Sequence, residues 1–471
     1  MTRACVAFLL AAVFALTAAD DNAQDVFLVK PYLQLGDFAA SSHSDKLVLL
    51  WHTRDVDAAF EINVRVTPAS KWARADSPSF ERVVVRGVEP HRVWSAGMKG
   101  LSPGTEFDYQ VTLAGKRLFE ARARARKSVG QQHRFAVFGD CGQNSPEQKA
   151  IAFQTWKAEP DFVFITGDIV YSRGRIPEYR EKHFPVYSAE PPSPSAGAPL
   201  LQSTLFIGAP GNHDIATVDL EKYPDTQAYF FYWRQPLNGP ASFRPAAHTG
   251  PEPDVQALLA AAGSRYPRMA NFSFDYGDAH WTVIDSNPYV DWNSSDLQQW
   301  LSEDLKNAAN AKWRFVGFHH PGFNSSKAHF NEQQTRVLAP LFVQHDVDIV
   351  FSGHVHNYQR SFPMKFVPAP GLDGKIPARG VVNGSWTLDK AFGTATTTKP
   401  DGVIYIVTGA GGARLYNPEQ QDDRASWQEF TSTFVSRIHS VSVVDLNGSQ
   451  LTFRQIDTAG NSVDSFTIIK R

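Results

Sequence analysis

Residues 347–361 read VDIVFSGHVHNYQRS. An apolar run of strand length stops at Gly353, and His354 and His356 follow at once. A short apolar run bounded by glycine and polar groups reads as a buried strand. Glycine at its end lets the backbone turn tightly where side chains crowd. The carboxyl ends of strands are where open α/β sheets bind their ligands, so two imidazoles delivered there are candidate ligands.

Working outward, the same arrangement recurs. RFAVF ends in Gly139-Asp140-Cys141-Gly142, and DFVFIT ends in Gly167-Asp168-Ile169-Val170-Tyr171. TLFIGAP ends in Gly211-Asn212-His213-Asp214, and RFVGF ends in His319-His320-Pro321. With GHVH this makes five strand ends, each carrying a hard oxygen or an imidazole, four of them behind a glycine. Each dipeptide alone is weak; the five together in this order are hard to obtain by chance. Asp140, Asp168 and Tyr171 offer oxygens, Asn212 an amide oxygen, and His319, His354 and His356 imidazoles. A structural zinc site built on thiolates is not indicated. Seven donors exceed what one ion needs but suit two ions that share a carboxylate, a pair able to activate water and neutralise phosphoryl charge together.

The order GDxG, GDxxY, GNHD, VxxH, GHxH resembles the purple acid phosphatases, within the wider calcineurin-like metallophosphoesterases. GHVHNYQRS is similar to that family's last block, and WTVID and LQQWLSEDL to its central stretch. The resemblance runs from about Arg134 to the end. It implies an α/β fold, a four-layer αββα sandwich with a dinuclear site at its top. It implies that Asp140, Asp168, Tyr171 and His356 hold Fe(3+), and that Asp168, Asn212, His319 and His354 hold a divalent metal (Fe2+, Zn2+ or Mn2+), with Asp168 bridging. Tyr171 discriminates, because a phenol with an ordinary pKa near about 10 is held ionised at acidic pH only by a strongly polarising cation. Most other calcineurin-like phosphoesterases lack this tyrosine.

The activity implied is that of a secreted acid phosphatase hydrolysing phosphate monoesters with hydroxide activated by the two ions. His213 would hydrogen-bond the phosphate or leaving oxygen beside Asn212, with Asp214 as its orienting partner. His329 is either the outer histidine of the family, acting as an acid, or an exposed loop histidine. His320 reads as structural. Tyr358 and Arg360 either line the pocket or pack behind it, and Asn357 and Gln359 replace the commoner alanine and glutamate of the family. The alternative enzyme is a calcineurin-like phosphodiesterase acting on cyclic nucleotides or other diesters, with the same donors apart from Tyr171. A non-enzymatic adhesion module with a degenerate phosphatase fold would show lost donors, and none is lost.

The rest of the chain frames this domain, taken as 133–471. The 471 residues are 42% hydrophobic and 20% charged, with a formal net charge of −2. That is room for two or three globular units, with no general attraction for nucleic acid or anionic membranes. Residues 1–19 read as a signal peptide with Arg3 ahead of an apolar stretch, implying export to a secreted, periplasmic or extracellular location without stable membrane insertion. Cys5 leaves with it, and Cys141 reads as a small buried residue without a partner in the chain. From 26 to 127 short alternating runs such as KLVLLWHT, EINVRVT and FDYQVTL predict a β-sandwich. LSPGTEFDY, residues 101–109, resembles the fibronectin type III turn, with Phe107 where that family carries tyrosine. ARARARK, residues 121–127, predicts the wet face of an edge strand. PEQKAIAFQTWKAE and SDLQQWLSEDLKNA predict helices, as does NEQQTRVLAPLFVQH apart from its internal Pro340; residues 190–199 and about 236–253 predict surface loops, and Asn447-Gly448 predicts a hairpin turn.

Overall fold

The computed structural model describes residues 26–37, 45–66, 71–393 and 399–470. The segment 1–19 and Cys5 lie outside the described residues. The alternating runs near the start form two antiparallel four-stranded sheets. One is ordered β1 (Val29–Gln34), β2 (Leu47–Arg54), β6 (His91–Met98), β5 (Ser79–Val83); the other β4 (Ala73–Arg74), β3 (Phe60–Val66), β7 (Glu106–Leu113), β8 (Lys116–Arg124). Successive strand residues point to opposite faces. Leu47, Leu49 and Trp51 therefore meet Phe60, Ile62, Phe107 and Val111 inside the sandwich. Each such fully buried side chain contributes about 1.5–3 kcal/mol.

The other face of β2 is also covered, which is why LVLLWHT reads as a nearly continuous apolar run. Leu50 and Tyr32 pack in the same cluster as Phe184, Tyr187 and Tyr232 of the following part. Phe107 is fully buried, and the hydroxyl on that strand belongs to Tyr109, which donates to the carbonyl of Gln202 at 2.8 Å. β8 is an edge strand with Arg122 and Arg124 exposed, as the alternating basic stretch predicts, but Arg126 beyond it is buried, donating to the carbonyl of Asp275 at 2.5 Å.

Beyond the joint, two larger sheets lie face to face. The six-stranded one is ordered β13 (Leu205–Gly208), β10 (Phe162–Ile165), β9 (His133–Phe138), β23 (Ser440–Asn447), β24 (Gln450–Asp457), β25 (Ser462–Ile469). The seven-stranded one is ordered β14 (Phe272–Tyr276), β15 (Ala279–Val283), β16 (Trp313–Gly317), β17 (Ile349–Ser352), β21 (Ile404–Thr408), β18 (Tyr358–Ser361), β22 (Thr431–Val435). Within them β9, β10 and β13 run parallel, as do β15, β16, β17 and β21. The inner layer is aromatic: Phe135 packs edge-on against Trp281 at 5.0 Å and against Phe315 at 5.4 Å, joining the two sheets. Helix Pro146–Lys157 covers the outside of the first sheet, started by proline and by Ser145, whose hydroxyl accepts from the Gln148 N–H at 3.1 Å. Helix Ser295–Asn307 covers the second, burying Leu297, Leu301 and Leu305 at four-residue spacing. The architecture is thus an N-terminal β-sandwich followed by a layered α/β unit.

Two local expectations fail. NEQQTRVLAPLFVQH is not one helix: a 3₁₀ turn spans Gln334–Leu338 and an α-helix spans Ala339–Gln344. Pro340 lacks an N–H and can only stand in a first turn, so the helix starts there. Residues 190–199 are not a bare loop but the hairpin β11 (Ser188–Ser193) and β12 (Gly197–Pro199). Pro191, Pro192 and Pro194 fall outside its paired positions, Ser188 with Pro199 and Ser193 with Gly197, where ladder donors are dispensable, and Pro199 stands at the end of its strand.

Candidate metal centre

The parallel strands of both sheets end on the same side, and their carboxyl ends bring the sequence motifs together. The backbone there is forced into the left-handed region at Asp140 (φ 57°), Asp168 (φ 49°) and His354 (φ 66°). Such conformations cost about 1–3 kcal/mol each and persist where the surroundings over-determine them. Glycine makes the crowding possible: a Cβ on Gly211 would stand 2.2 Å from Asp168 Oδ1.

On one side, the Tyr171 hydroxyl lies 3.1 Å from Asp140 Oδ1 and 3.0 Å from His356 Nε2. His356 Nε2 is 3.4 Å from the same carboxylate. On the other side, His319 Nε2 lies 3.0 Å from Asn212 Oδ1, 3.3 Å from Asp168 Oδ1 and 3.2 Å from His354 Nδ1. Carboxylate oxygens of Asp140 and Asp168 and a His319 nitrogen fall within 4.8 Å of one another, so Asp168 stands between the two groups. The structure therefore brings all seven predicted donors, Asp140, Asp168, Tyr171, Asn212, His319, His354 and His356, into one cluster, buried except for half-buried Asn212 at its edge.

The hydrogen bonds on the far side of each ring decide what this cluster can hold. His319 Nδ1 is 2.9 Å from the carbonyl of Thr166, and His356 Nδ1 is 2.8 Å from the carbonyl of Arg414. His354 Nε2 is 2.9 Å from Glu332 Oε2. Each outer nitrogen must donate, which leaves the inner nitrogen of each neutral ring a lone pair. Those inner nitrogens face carboxylate and amide oxygens and one another, an arrangement that calls for added positive charge, whether as protons on the imidazoles or as cations. Outer partners of this kind fix the ring and tautomer of metal-ligating histidines.

The electrostatics agree. Burial works against a charged His319, but Asp168 beside it outweighs burial and raises the imidazole to about 9, so the cluster draws in positive charge. Burial would raise Asp168, yet His319, His213 and His354 hold it well below the usual carboxylate range. Burial, then Asp140 and Asp168, push the Tyr171 phenol up.

Asp214 is not the partner of His213. Its fully buried carboxylate accepts from the backbone N–H groups of Ile169 at 3.0 Å and Gly211 at 2.8 Å, tying two strand-end loops together. Its neighbour in sequence points the other way along this short helical turn, so sequence adjacency misled. His213 stacks on Tyr171 with ring centres 4.5 Å apart; its N–H groups reach the carbonyl of Ser172 at 2.8 Å through Nδ1 and Asp168 Oδ1 at 2.9 Å through the backbone. His329, half-buried, stands with its ring centre 4.0 Å from that of His354, its Nδ1 2.8 Å from Glu332 Oε1. His320 is buried against Ser286, 3.1 Å from its hydroxyl. Tyr358 and Arg360 turn away to Asp464, at 2.6 and 2.7 Å. Asn357 and Gln359 bond each other at 3.0 Å, and Gln359 Oε1 accepts from the Ser325 N–H at 2.6 Å.

Two residues of the site escaped the sequence reading. Glu332 grips His329 and His354 with its two oxygens, and Tyr416 stacks on His356 at 4.0 Å and 10°. Neither follows an apolar run or a glycine; the three-residue step from His329 to Glu332 was the available signal.

Residues 133–358 match the family model described as calcineurin-like phosphoesterase. Over these residues the chain is a calcineurin-like metallophosphoesterase. It is 27% identical over 293 residues to purple acid phosphatase 23 of Arabidopsis thaliana, covering 55% of this chain and 56% of that one. It is 27% identical over 271 residues to purple acid phosphatase 1 of Ipomoea batatas, covering 56% of this chain and 50% of that one. The metallophosphoesterase chain thus spans about half the length of these curated relatives. Among solved structures, a purple acid phosphatase from seeds of yellow lupin (Lupinus luteus) superposes with a TM-score of 0.62 at 18% identity, covering 93% of this chain and 74% of that one. PhoD superposes with a TM-score of 0.56 at 14% identity, covering 94% of this chain and 93% of that one. These two likenesses speak to the fold, including the N-terminal sandwich.

Proposed function

We propose that this metallophosphoesterase is an exported acid phosphatase of the purple type, a phosphoric monoester hydrolase working with Fe(3+) and a divalent ion (Fe2+, Zn2+ or Mn2+). The observation that carries the reading is the Tyr171 hydroxyl, held about equally close to Asp140 and His356 inside the cluster. Asp140, Tyr171, His356 and Asp168 would hold the ferric ion, and Asp168, Asn212, His319 and His354 the divalent one. Burial and two carboxylates keep an ion-free Tyr171 protonated; a trivalent cation at the same place reverses that field. When bound, the two ions supply Lewis-acid activation of water and neutralise phosphoryl charge.

The chain's own residues do the rest. Glu332, Thr166 and Arg414 keep the three imidazole lone pairs turned inward. Asp214 locks the loops that carry Asp168 and Asn212, so the donors lose little entropy on binding. His213, a third exposed on the side chain, stands beside Asn212 and hydrogen-bonds a phosphoryl oxygen. His329, oriented by Glu332, gives its proton to the departing alkoxide.

The test joins metal content, a visible spectrum and substrate choice. The wild type is expected to contain iron, to show a phenolate-to-iron band that Tyr171→Phe removes, and to prefer 4-nitrophenyl phosphate over bis(4-nitrophenyl) phosphate across about pH 4 to 9. A colourless, iron-free, fully active protein, or a strong diester preference, would overturn the assignment.

A further inference from the structure

Beside the donor cluster, an open groove of about 420 Å³ leads outward from Asn212 and His213. Its outer wall carries Arg173, Lys222 and Tyr223, with Asp219 as the one carboxylate among its lining residues. The Arg173 guanidinium carbon lies 5.4 Å from the centre of the Tyr223 ring, and Lys222 Nζ lies 5.3 Å from the same centre. Arg175 also approaches that ring, at 5.8 Å, but its charge is matched by Asp225 at 2.8 Å. Among the described residues, Arg173 and Lys222 have no such carboxylate within ion-pair distance. Two like charges share one aromatic ring and are left uncompensated, which a bound anion would correct.

The loops presenting these cations are fixed. Ser172 and Arg173 donate their backbone N–H groups to the Glu178 carboxylate at 2.5 and 3.1 Å, and the Thr226 hydroxyl donates to the Arg173 carbonyl. The Lys222 N–H is held by Asp219 Oδ1 at 3.1 Å, which occupies part of the opposing carboxylate. The Ser172 carbonyl holds His213 at 2.8 Å, so the cationic loop and the phosphate-facing histidine move as one piece.

We infer that this groove is a leaving-group subsite, with Arg173 and Lys222 as the residues that select substrates bearing a second phosphate. The inference rests on the phosphatase reading and names what that site prefers. In ADP hydrolysis the bond between the β-phosphorus and the bridging oxygen breaks, its electron pair staying on the oxygen of departing AMP, a phosphate anion that, unlike an alkoxide, leaves without a proton from His329. A water oxygen forms the new bond to phosphorus, one of its protons staying on phosphate and the other going to solvent. The charge on the departing AMP lies against Arg173 and Lys222. AMP itself, whose leaving adenosine is neutral, gains nothing there.

The experiment compares ADP with AMP on the metal-loaded wild type, R173A, K222A and the double variant. The double variant is expected to lose about 10-fold or more in kcat/KM on ADP while losing less than about 3-fold on AMP, and Arg173→Lys to restore part of the difference. Rising salt should erode the wild-type ADP preference and leave the double variant's ratio flat. An unchanged ADP-to-AMP ratio, or equal losses on both, overturns the subsite. A wild type inert towards 4-nitrophenyl phosphate is a failure of the phosphatase reading instead. Calorimetry with pyrophosphate and phosphate still tests the groove in that case: about 10-fold tighter pyrophosphate binding, lost in the double variant, supports it, and equal affinities sink it.

Discussion

At the joint between the N-terminal sandwich and the α/β unit, buried Arg234 and Arg265 both reach Glu81, at 2.8 and 2.5 Å. The Tyr32 hydroxyl donates to the Tyr232 carbonyl at 2.7 Å, and the Tyr232 hydroxyl lies 2.9 Å from His91 Nε2. At the strand ends, a second group of buried polar side chains gathers, also joining distant parts of the chain. In the first group the carboxylate is met by its own guanidinium groups and hydroxyls by carbonyl and imidazole, although His52 Nδ1 and Arg180 Nε and Nη2 are left over. The second differs in kind: two imidazole nitrogens, of His319 and His354, face each other at 3.2 Å among carboxylates, and three of its members take left-handed backbone conformations that none of the joint residues adopts. A buried polar cluster that closes on itself supports the fold. One that closes only around added positive charge is built for a ligand, and the backbone strain collects there.

The harshest way to break this contrast is Asp168→Asn. The amide keeps the shape and an acceptor for the His213 N–H, now at 2.9 Å, but removes the charge that both halves of the cluster share. Turnover of 4-nitrophenyl phosphate is expected to fall about 10³-fold or more, since the ions supply several kcal/mol of charge stabilisation. Chelation should lower the Tm of the wild type, because ions that bind only the native state stabilise it by mass action. It should leave the Tm of the variant nearly unmoved. A variant that keeps full activity, or a wild type whose Tm ignores chelation, would place the two clusters in the same class.

The joint answers to pH instead. Burial, then Arg180, lowers His91 to about 4, and burial, then His91, lowers His52. Below its ordinary value an unfolded histidine takes up a proton that folded His91 refuses, so acid favours unfolding. Stability should fall as pH drops from about 6.5 to about 4, where the His91 share of about 3 kcal/mol levels off while His52 continues to weaken the fold below. Urea midpoints near pH 7 and near pH 4.5 should draw together in His91→Gln relative to wild type. An unchanged gap would show that His91 is not what acid attacks.

The sequence made the second cluster far more legible than the first. Its donors stand directly behind apolar runs and glycines, so Asp140, Asp168, Asn212, His319, His354 and His356 announce themselves by local pattern. Fold class was legible for the same reason: strand runs such as RFAVF and VDIVF keep their period whatever packs on them. The joint was invisible because Glu81, Arg234 and Arg265 have no short-range signature; their meeting depends on how two sheets dock. The same limit hid Glu332 and Tyr416, and adjacency in sequence misplaced Asp214, whose carboxylate turns back towards Ile169. The helix expected over 331–345 fails at Pro340, where a missing N–H overrides an apolar period.

Glu332 offers the finest test of the contrast, since it touches the cluster without belonging to its inner face. Its Oε1 holds His329 Nδ1 at 2.8 Å and its Oε2 holds His354 Nε2 at 2.9 Å. Burial would raise its carboxyl, but His329 and His354 keep it ionised far below the usual range. In Glu332→Gln one acceptor becomes an N–H₂ group. If that group faces His354, the imidazole must move its proton to Nδ1, and the lone pair aimed at the Asn212 and His319 side is lost. If it faces His329, that ring loses its orientation and the proton it gives. Metal affinity on the His354 side is expected to weaken about 10- to 100-fold, as for other outer partners of ligating histidines. The Tyr171 side should keep its ion and its visible band, and excess divalent metal should restore part of the turnover. Equal loss of both ions would mean that Glu332 supports the loops rather than one ring, and unchanged affinity would mean that the lone-pair geometry does not depend on its carboxylate.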